Sequence, residues 1–303
     1  MNEESSPRTI EQPPYGIIMR GLRTGMVIPF LGAAASKLVR SGEPSVQPPS
    51  GADLAEALAR QARFPSEDPH DRRDLAKVSS YYVDVSRRKN LRDELRSIFV
   101  DKRYSSNDLH RLLAQVASNM VVVTTNYDTL LEEAFQKEGK EYDVVVYPAD
   151  NSEYANCILW WHYGQQEPEK LKPNKIDVEE IANRNLIFKM HGSVWQASSN
   201  WDSFVITEED YVQFLSRIRN AVPSAFRTFF AERSFLFLGY GLQDWNLRVL
   251  LKEVSSPGNT SWAILKTPTL FERALWNRRN VKLYDVLLEE FVAEMRSEFK
   301  QQQ

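Results

Sequence analysis

The sequence is nearly devoid of cysteine. It has one, Cys157, among 303 residues, so it cannot form an internal disulfide or a zinc site built from paired cysteine thiolates. Its four histidines, His70, His110, His162 and His191, are scattered, and none has the HxxxH spacing of a helical metal site. We therefore predict that the chain binds no metal ion.

Long apolar runs and an excess of positive charge are also missing. No stretch approaches the ~20 apolar residues that span a bilayer. Residues 1–14 lack the apolar segment of a signal peptide, so we expect a flexible N-terminus on a cytoplasmic protein without membrane contact. The net charge of -3 gives no overall positive field, and nothing in the composition indicates nucleic-acid binding.

The composition is that of a globular protein, with 42% hydrophobic and 26% charged residues. We predict one main domain over residues 15–300. Seven short runs rich in β-branched and aromatic residues predict buried strands. They are Val27–Leu31, Met120–Thr124, Val144–Tyr147, Leu186–Met190, Phe235–Leu238, Trp262–Leu265 and Val281–Tyr284.

Amphipathic stretches between these runs predict helices. They are Asp128–Lys137, Asp244–Val254, Leu270–Arg278 and Val286–Phe299. The alternation of strand and helix predicts an α/β fold with a doubly wound, mostly parallel, Rossmann-like sheet.

Two segments interrupt the alternation. Residues 41–118 begin with a loop rich in Pro, Gly and Ser, and then show helical patterns, so we predict a helical insertion. These patterns lie at Ala52–Ala62, Leu75–Arg87 and Leu91–Val100. Residues 149–185 are polar apart from the pair Trp160-Trp161, and we predict a smaller insertion on the rim.

Two strands are followed by very small residues. The first runs into Gly32-Ala33-Ala34-Ala35-Ser36, and the fifth runs into Gly239-Tyr240-Gly241, with Asp244 near the start of the next helix. Small side chains at a strand-to-helix turn allow a phosphate to approach backbone N–H groups. The alternative is a pair of tight turns packed against the sheet, with Asp244 in an acidic first helical turn.

Two other strands end in polar residues. The second delivers Thr125, Asn126 and Asp128 to its carboxyl end, where open α/β sheets bind ligands, and the fourth delivers His191. These side chains are candidates for a catalytic site. Alternatively, Asn126 or Asp128 caps the following helix, and His191 is a hydrogen-bonded structural residue.

In this order, the motifs resemble those of the sirtuin family, and specifically the sirtuin-like domains of bacterial anti-phage defence systems. The resemblance extends from about Ile17 to Phe291. Its most specific part is Thr124-Thr125-Asn126-Tyr127-Asp128, followed by Lys189-Met190-His191-Gly192-Ser193 and by Gly239-Tyr240-Gly241-Leu242-Gln243-Asp244.

The resemblance implies a role for each motif. Gly32–Ser36 corresponds to the family's NAD loop, and Gly239–Gly241 to the loop near the adenosine half of NAD. Asn126 corresponds to the Asn beside the nicotinamide ribose, Asp128 to the Asp near the carboxamide, and His191 to the catalytic His. NAD is thereby implied as the substrate.

The sequence departs from the family pattern in two places. Ala34 stands where the family has a second glycine, so a methyl group is added beside the pyrophosphate. The four-cysteine zinc module of the family's protein deacylases is absent, which argues against protein deacylation.

The reaction implied is hydrolysis of NAD to nicotinamide and ADP-ribose in anti-phage defence. Two alternatives stay open: a deacylase or ADP-ribosyl transferase with the same NAD pocket, and a non-catalytic NAD or ADP-ribose sensor. The resemblance also implies an assembly, either a homo-oligomer or a complex with a helicase-like ATPase or another defence sensor. Trp160, Trp161 and Tyr163 are candidate interface anchors or a local core.

Overall fold

A computed structural model describes residues 11–39, 46–100, 104–150, 152–154, 156–195, 197–241, 249 and 258–302. Its strands are β1 (Val27–Leu31), β2 (Val121–Thr124), β3 (Asp143–Val146), β4 (Ile158–Trp161), β5 (Glu169–Leu171), β6 (Leu186–Lys189), β7 (Gly192–Ser193), β8 (Ser203–Phe204), β9 (Ser234–Leu238), β10 (Ser261–Ile264) and β11 (Val281–Tyr284).

Nine of these strands form one sheet in the order β11-β10-β9-β1-β2-β6-β3-β4-β5, and β7 pairs with β8 separately. Every pairing in the large sheet is parallel except β3 with β4 and β4 with β5. All seven predicted strands are confirmed. Strands β4 and β5 were not predicted, because the polar residues around them resemble a loop and Glu169–Leu171 is an exposed edge strand.

The helices are α1 (Tyr15–Arg23), α2 (Gly51–Gln61), α3 (Pro69–Arg72), α4 (Leu75–Ser86), α5 (Arg88–Phe99), α6 (Asp108–Val116), α7 (Leu130–Lys137), α8 (Val178–Ala182), α9 (Glu208–Ser216), α10 (Ile218–Ala221), α11 (Ser224–Ala231), α12 (Leu270–Asn277) and α13 (Leu288–Gln301). The predicted helices are confirmed within a few residues, except Asp244–Val254, which lies almost entirely outside the described residues.

Helices cover both faces of the sheet, which confirms the doubly wound α/β fold. On one face, Ile28 and Phe30 of β1 share a core with Phe226 and Phe230 of α11. On the other face, Val27 and Leu31 share a core with residues of α1, α6, α7 and α13. Alternate residues of β1 therefore enter opposite cores, as strand geometry requires.

A third core lies in the helical segment. Residues of α2, α4 and α5 pack together and against Tyr127 and Phe204 near the carboxyl ends of the strands. In contrast, α6 packs on the sheet. We therefore propose that the helical insertion comprises α2 to α5 and ends before α6, rather than reaching residue 118.

Ion pairs hold α5 against α9 and against loops at this end of the sheet. The Arg88 guanidinium contacts Asp210 at 2.8 Å and Asp150 at 2.9 Å, and Arg96 contacts Asp202 at 2.9 Å. The three carboxylate side chains are at most 12% exposed and the two arginine side chains are 27% exposed, so these contacts are partly shielded from solvent. They fix the position of Phe99 at the end of α5.

The tryptophan pair belongs to the sheet. Trp160 and Trp161 lie in β4 and are 0% and 3% exposed, so within this chain both rings complete a local core rather than forming interface anchors. Tyr163 is 55% exposed and remains available to a partner.

Candidate active site

A cavity of about 360 Å³ lies at the carboxyl ends of β1, β2, β6 and β9. Its size is in the range of small-molecule sites. The structure brings together at its wall the predicted residues Ala33, Ala34, Ser36, Thr125, Asn126, Asp128, His191, Gly239, Tyr240 and Gly241. Gly32 is buried behind this wall, and Asp244 lies outside the described residues.

Asn126 is fixed by the turn that follows β1. Its Nδ2 atom donates to the carbonyl oxygen of Gly32 and to Ser36 Oγ, both at 3.1 Å. The two amide hydrogens are thereby used. Among the described residues nothing donates to Asn126 Oδ1, so this oxygen is the acceptor that the residue offers to a ligand hydroxyl or a water molecule.

Asp128 makes hydrogen bonds within the fold and also lines the cavity. Its Oδ2 atom accepts a hydrogen bond from Ser36 Oγ at 2.9 Å, and its Oδ1 atom accepts one from the backbone N–H of Leu130 at 3.1 Å. The side chain therefore binds the first N–H of α7, although Thr129 and not Asp128 is the N-cap residue, while Asp128 also lines the cavity. Two hydrogen bonds thus link three side chains in series, from Asn126 to Ser36 and from Ser36 to Asp128.

A buried lysine, Lys189, contacts the backbone of Asp128 next to these hydrogen-bonded side chains. Lys189 is 0% exposed, and its Nζ atom donates to the backbone carbonyl oxygen of Asp128 and to Glu132 Oε1, the latter at 2.8 Å. No role was predicted for Lys189 from the sequence. The signal was present, because a lysine inside the apolar run Leu186–Met190 requires a buried partner.

His191 enters the cavity between aromatic rings. It is 6% exposed, and its ring meets Tyr211 and Phe214 edge-on at 5.5 and 5.3 Å between centroids. Its carbonyl oxygen accepts the N–H of Val205. Gly192 has φ +90°, and a Cβ there would lie 2.0 Å from the Ser203 carbonyl oxygen, so glycine is required for the β7–β8 pairing that holds His191 in place.

The glycines of the two turns pack against each other. A Cβ on Gly32 would lie 2.6 Å from the Gly239 carbonyl oxygen, and one on Gly239, at φ +65°, would lie 2.1 Å from the Ala35 nitrogen. The N–H of Gly32 donates to Leu238, and that of Ala34 donates to Gly239. Close packing between the two turns therefore requires glycine at both positions, in agreement with the alternative interpretation of tight, packed turns.

Few backbone N–H groups of the Gly32–Ser36 turn are free to bind a phosphate. The amides of Gly32, Ala34 and Ala35 all donate to backbone carbonyl oxygens, so they are engaged within the fold. Ala33 and Ala34 are exposed and present their methyl groups at the cavity wall. Gly241 also lines the cavity, and a Cβ there would meet no heavy atom of the described residues within 4 Å.

Metal-binding and membrane-spanning features are absent from the part of the chain that the structure describes. It contains no group of three or more His, Cys, Asp or Glu side chains that could hold a metal ion. Nor do the described residues form a helix with the length and apolar character needed to cross a membrane.

Comparisons with known proteins identify the family of this chain. A family model described as SIR2-like domain matches residues 120–299. NAD(+) hydrolase ThsA of Bacillus cereus (strain MSX-D12) is 25% identical over 210 residues, which are 68% of this chain and 37% of that protein. Defense-associated sirtuin 2 of Bacillus subtilis is 26% identical over 156 residues, 51% of this chain and 12% of that protein.

The matches thus cover 37% and 12% of these relatives' own length, well under two thirds of either. A solved structure from work on the mechanism and regulation of Sir2 enzymes aligns with 96% of this chain and 99% of its own. The alignment has a TM-score of 0.40 and 12% identity.

Proposed function

Because this chain belongs to the SIR2-like domain family, we propose that it is an NAD hydrolase that cleaves the bond between nicotinamide and ribose. The observation that carries the proposal is the convergence of Asn126, Asp128 and His191 on one cavity from the ends of two strands. Relatives named as NAD hydrolases support it.

In the proposed reaction, water attacks the anomeric carbon of the nicotinamide ribose. The carbon–nitrogen bond breaks, and its electron pair leaves with nicotinamide, which departs as a neutral base. A proton passes from the attacking water to the protein or solvent. The transition state resembles that of glycoside cleavage, so the protein must fix the sugar and stabilise positive charge on it.

Each of the three residues suits one of these tasks. Asn126 Oδ1 would accept a hydrogen bond from a ribose hydroxyl or from the attacking water. Asp128 would hold the carboxamide and supply negative charge near the sugar. His191 would accept a proton from a ribose hydroxyl or from the water.

A sensor that binds NAD or ADP-ribose without cleaving it is the second candidate. The engaged amides of Gly32, Ala34 and Ala35 leave fewer donors for the pyrophosphate, which both functions must bind, so they do not decide between the two. Incubating the purified chain with NAD, and quantifying nicotinamide and ADP-ribose by chromatography, separates the two functions. Equimolar products indicate the hydrolase, whereas saturable ADP-ribose binding without products, at every chain concentration and degree of self-association, favours the sensor.

We also propose a cytoplasmic role in anti-phage defence, with no metal cofactor. The relative named a defense-associated sirtuin supports the defence role. An enzyme that consumes NAD without restraint would harm its own cell, so we propose that activity depends on a homo-oligomer or on a partner such as a helicase-like ATPase or another defence sensor.

A further inference from the structure

A buried asparagine, Asn107, lies behind the turn that follows β1. It directly precedes α6, it is 2% exposed, and it does not line the cavity of the candidate active site. The motifs found in the sequence assign it no role. Its side chain nevertheless connects α6 to the turn that carries part of the candidate site.

The two ends of the Asn107 side-chain amide make different contacts. Its Oδ1 atom accepts the backbone N–H groups of Leu109 at 3.0 Å and of His110 at 3.2 Å, and so caps the start of α6. Its Nδ2 atom donates to the backbone carbonyl oxygen of Ala35 at 2.7 Å. The oxygen therefore stabilises the helix, whereas the nitrogen holds the Gly32–Ser36 turn.

The position of Asn107 is fixed by the helix that it caps. Its backbone N–H donates to His110 Nδ1 at 3.3 Å, which completes a capping box. The helix itself packs on the sheet, because Leu109 and Leu113 share a core with Leu31 of β1. Asn107 is thus anchored to the sheet rather than to the helical insertion.

The two halves of the turn are held by different parts of the fold. The N–H groups of Gly32 and Ala34 donate to backbone carbonyl oxygens at and just beyond the end of β9, which fixes the first half. In the second half, the carbonyl oxygen of Ala35 is bound by Asn107. Ser36 follows directly, so its position depends on this contact.

Ser36 connects the second half of the turn to the candidate catalytic residues. Its Oγ atom donates to Asp128 Oδ2 at 2.9 Å and accepts from Asn126 Nδ2 at 3.1 Å. A displacement of Ala35 would therefore move Ser36 Oγ, and with it the amide of Asn126. Small errors in the placement of a group that acts on the reacting atoms lower the rate of reaction strongly.

From these contacts we propose that Asn107 is a positioning residue for the candidate active site. It holds Ala35 and thereby places Ser36 and Asn126 for the reacting ribose. This role rests on the proposed NAD hydrolysis. The first half of the turn, which presents Ala34 at the cavity wall, is held independently of Asn107. Loss of the Asn107 amide should therefore lower kcat much more than it raises KM.

The variant Asn107→Ser separates the two contacts. Serine is a favoured N-cap residue, but its side chain is too short to replace the amide donor to Ala35. At the chain concentration of highest specific activity, we expect kcat for nicotinamide release to fall about tenfold, and KM for NAD to change less than about threefold. Hydrogen exchange, followed by mass spectrometry without ligand, should become at least about threefold faster at the Gly32–Ser36 turn.

Asn185→Ser is the matched control. Asn185 also bridges two segments, since it accepts the N–H of Met120 at 3.1 Å and donates to the carbonyl oxygen of Glu141 at 2.9 Å. It lies at the amino ends of β2 and β6 and does not line the cavity. We expect this variant to unfold at a lower urea concentration, with unchanged kcat and unchanged exchange at the turn.

The outcomes distinguish a failure of this role from a failure of the proposed hydrolysis. Equal losses of kcat in Asn107→Ser and Asn185→Ser, or unchanged exchange at the Gly32–Ser36 turn in Asn107→Ser, would overturn the positioning role. Absence of nicotinamide release from the unaltered chain would instead contradict the hydrolysis, and the exchange measurement would still decide whether Asn107 holds the turn.

Discussion

Lys189 Nζ lies 2.8 Å from Glu132 Oε1, and both side chains are buried, at 0% and 8% exposed. The same ammonium group donates to the backbone carbonyl oxygen of Asp128. One ion pair thus joins β6 to α7 directly beneath the candidate active site.

Breaking this pair should destabilise the fold. Lys189→Met leaves the Glu132 carboxylate buried and unpaired, so we expect the free energy of unfolding to fall by roughly 3 kcal/mol in urea titrations. The double variant Lys189→Met/Glu132→Leu removes both charges and should recover most of the loss. Lys137→Met, at the more exposed Glu133 pair, is the control and should cost less than about 1 kcal/mol. An equal loss in both single variants would contradict this account.

Removing the Ala34 methyl group should improve NAD binding. Ala34 is exposed at the cavity wall, where the related family has glycine, so we expect Ala34→Gly to tighten NAD or ADP-ribose binding by roughly threefold in calorimetry. Ala33→Gly adds the same backbone freedom one residue earlier and is the comparison. Unchanged or weaker binding by Ala34→Gly would contradict this prediction, and equal tightening by both variants would not assign the effect to Ala34, because Ala33 also lines the cavity.

His110 should make stability depend on pH. Burial lowers its pKa below the ordinary value, outweighing the nearby carboxylates of Asp128 and Glu133. The unfolded chain then binds a proton that the folded chain excludes, so stability should decrease as pH falls below about 6.5, by at most about 1.4 kcal/mol per pH unit. Urea titrations at several pH values should show a shallower dependence in His110→Gln.

His70→Gln provides the control for this pH effect, because it removes an exposed imidazole. The same pH dependence in His110→Gln and in the unaltered chain would show that His110 does not cause it.

The proposed assembly predicts that activity depends on concentration. Light scattering and NAD turnover should be recorded on the same dilution series. We expect specific activity to rise as larger species form, or on addition of a partner protein, because unrestrained NAD cleavage requires control. A strictly monomeric chain with full, concentration-independent specific activity would contradict the proposal.

Much of the fold and of the cavity wall could be predicted from the sequence. Strands such as Val27–Leu31 are continuous apolar runs, and polar residues that follow such runs collect at one edge of a parallel sheet. Strand ends alone therefore place Asn126 and His191 at the same edge, and in the structure both residues line the cavity.

The remainder depends on contacts between residues far apart in the chain. The requirement for glycine at Gly32 and Gly239 comes from two turns, distant in the sequence, that touch backbone to backbone. The Lys189–Glu132 pair joins a strand to a helix, and neither residue reveals the other by its spacing. The edge strand β5 has too few apolar residues to be distinguished from a loop.

Nicotinamide release tests most directly whether NAD is cleaved in the cavity that Asn126 and His191 line. Release should be measured for the unaltered chain, Asn126→Ala and His191→Ala, with circular dichroism to check folding. The control is Asn90→Ala, which changes an exposed asparagine outside the cavity. We predict release by the unaltered chain and by Asn90→Ala, and a loss of at least about 100-fold in the two cavity variants. Undiminished release by a folded Asn126→Ala or His191→Ala chain would contradict the account.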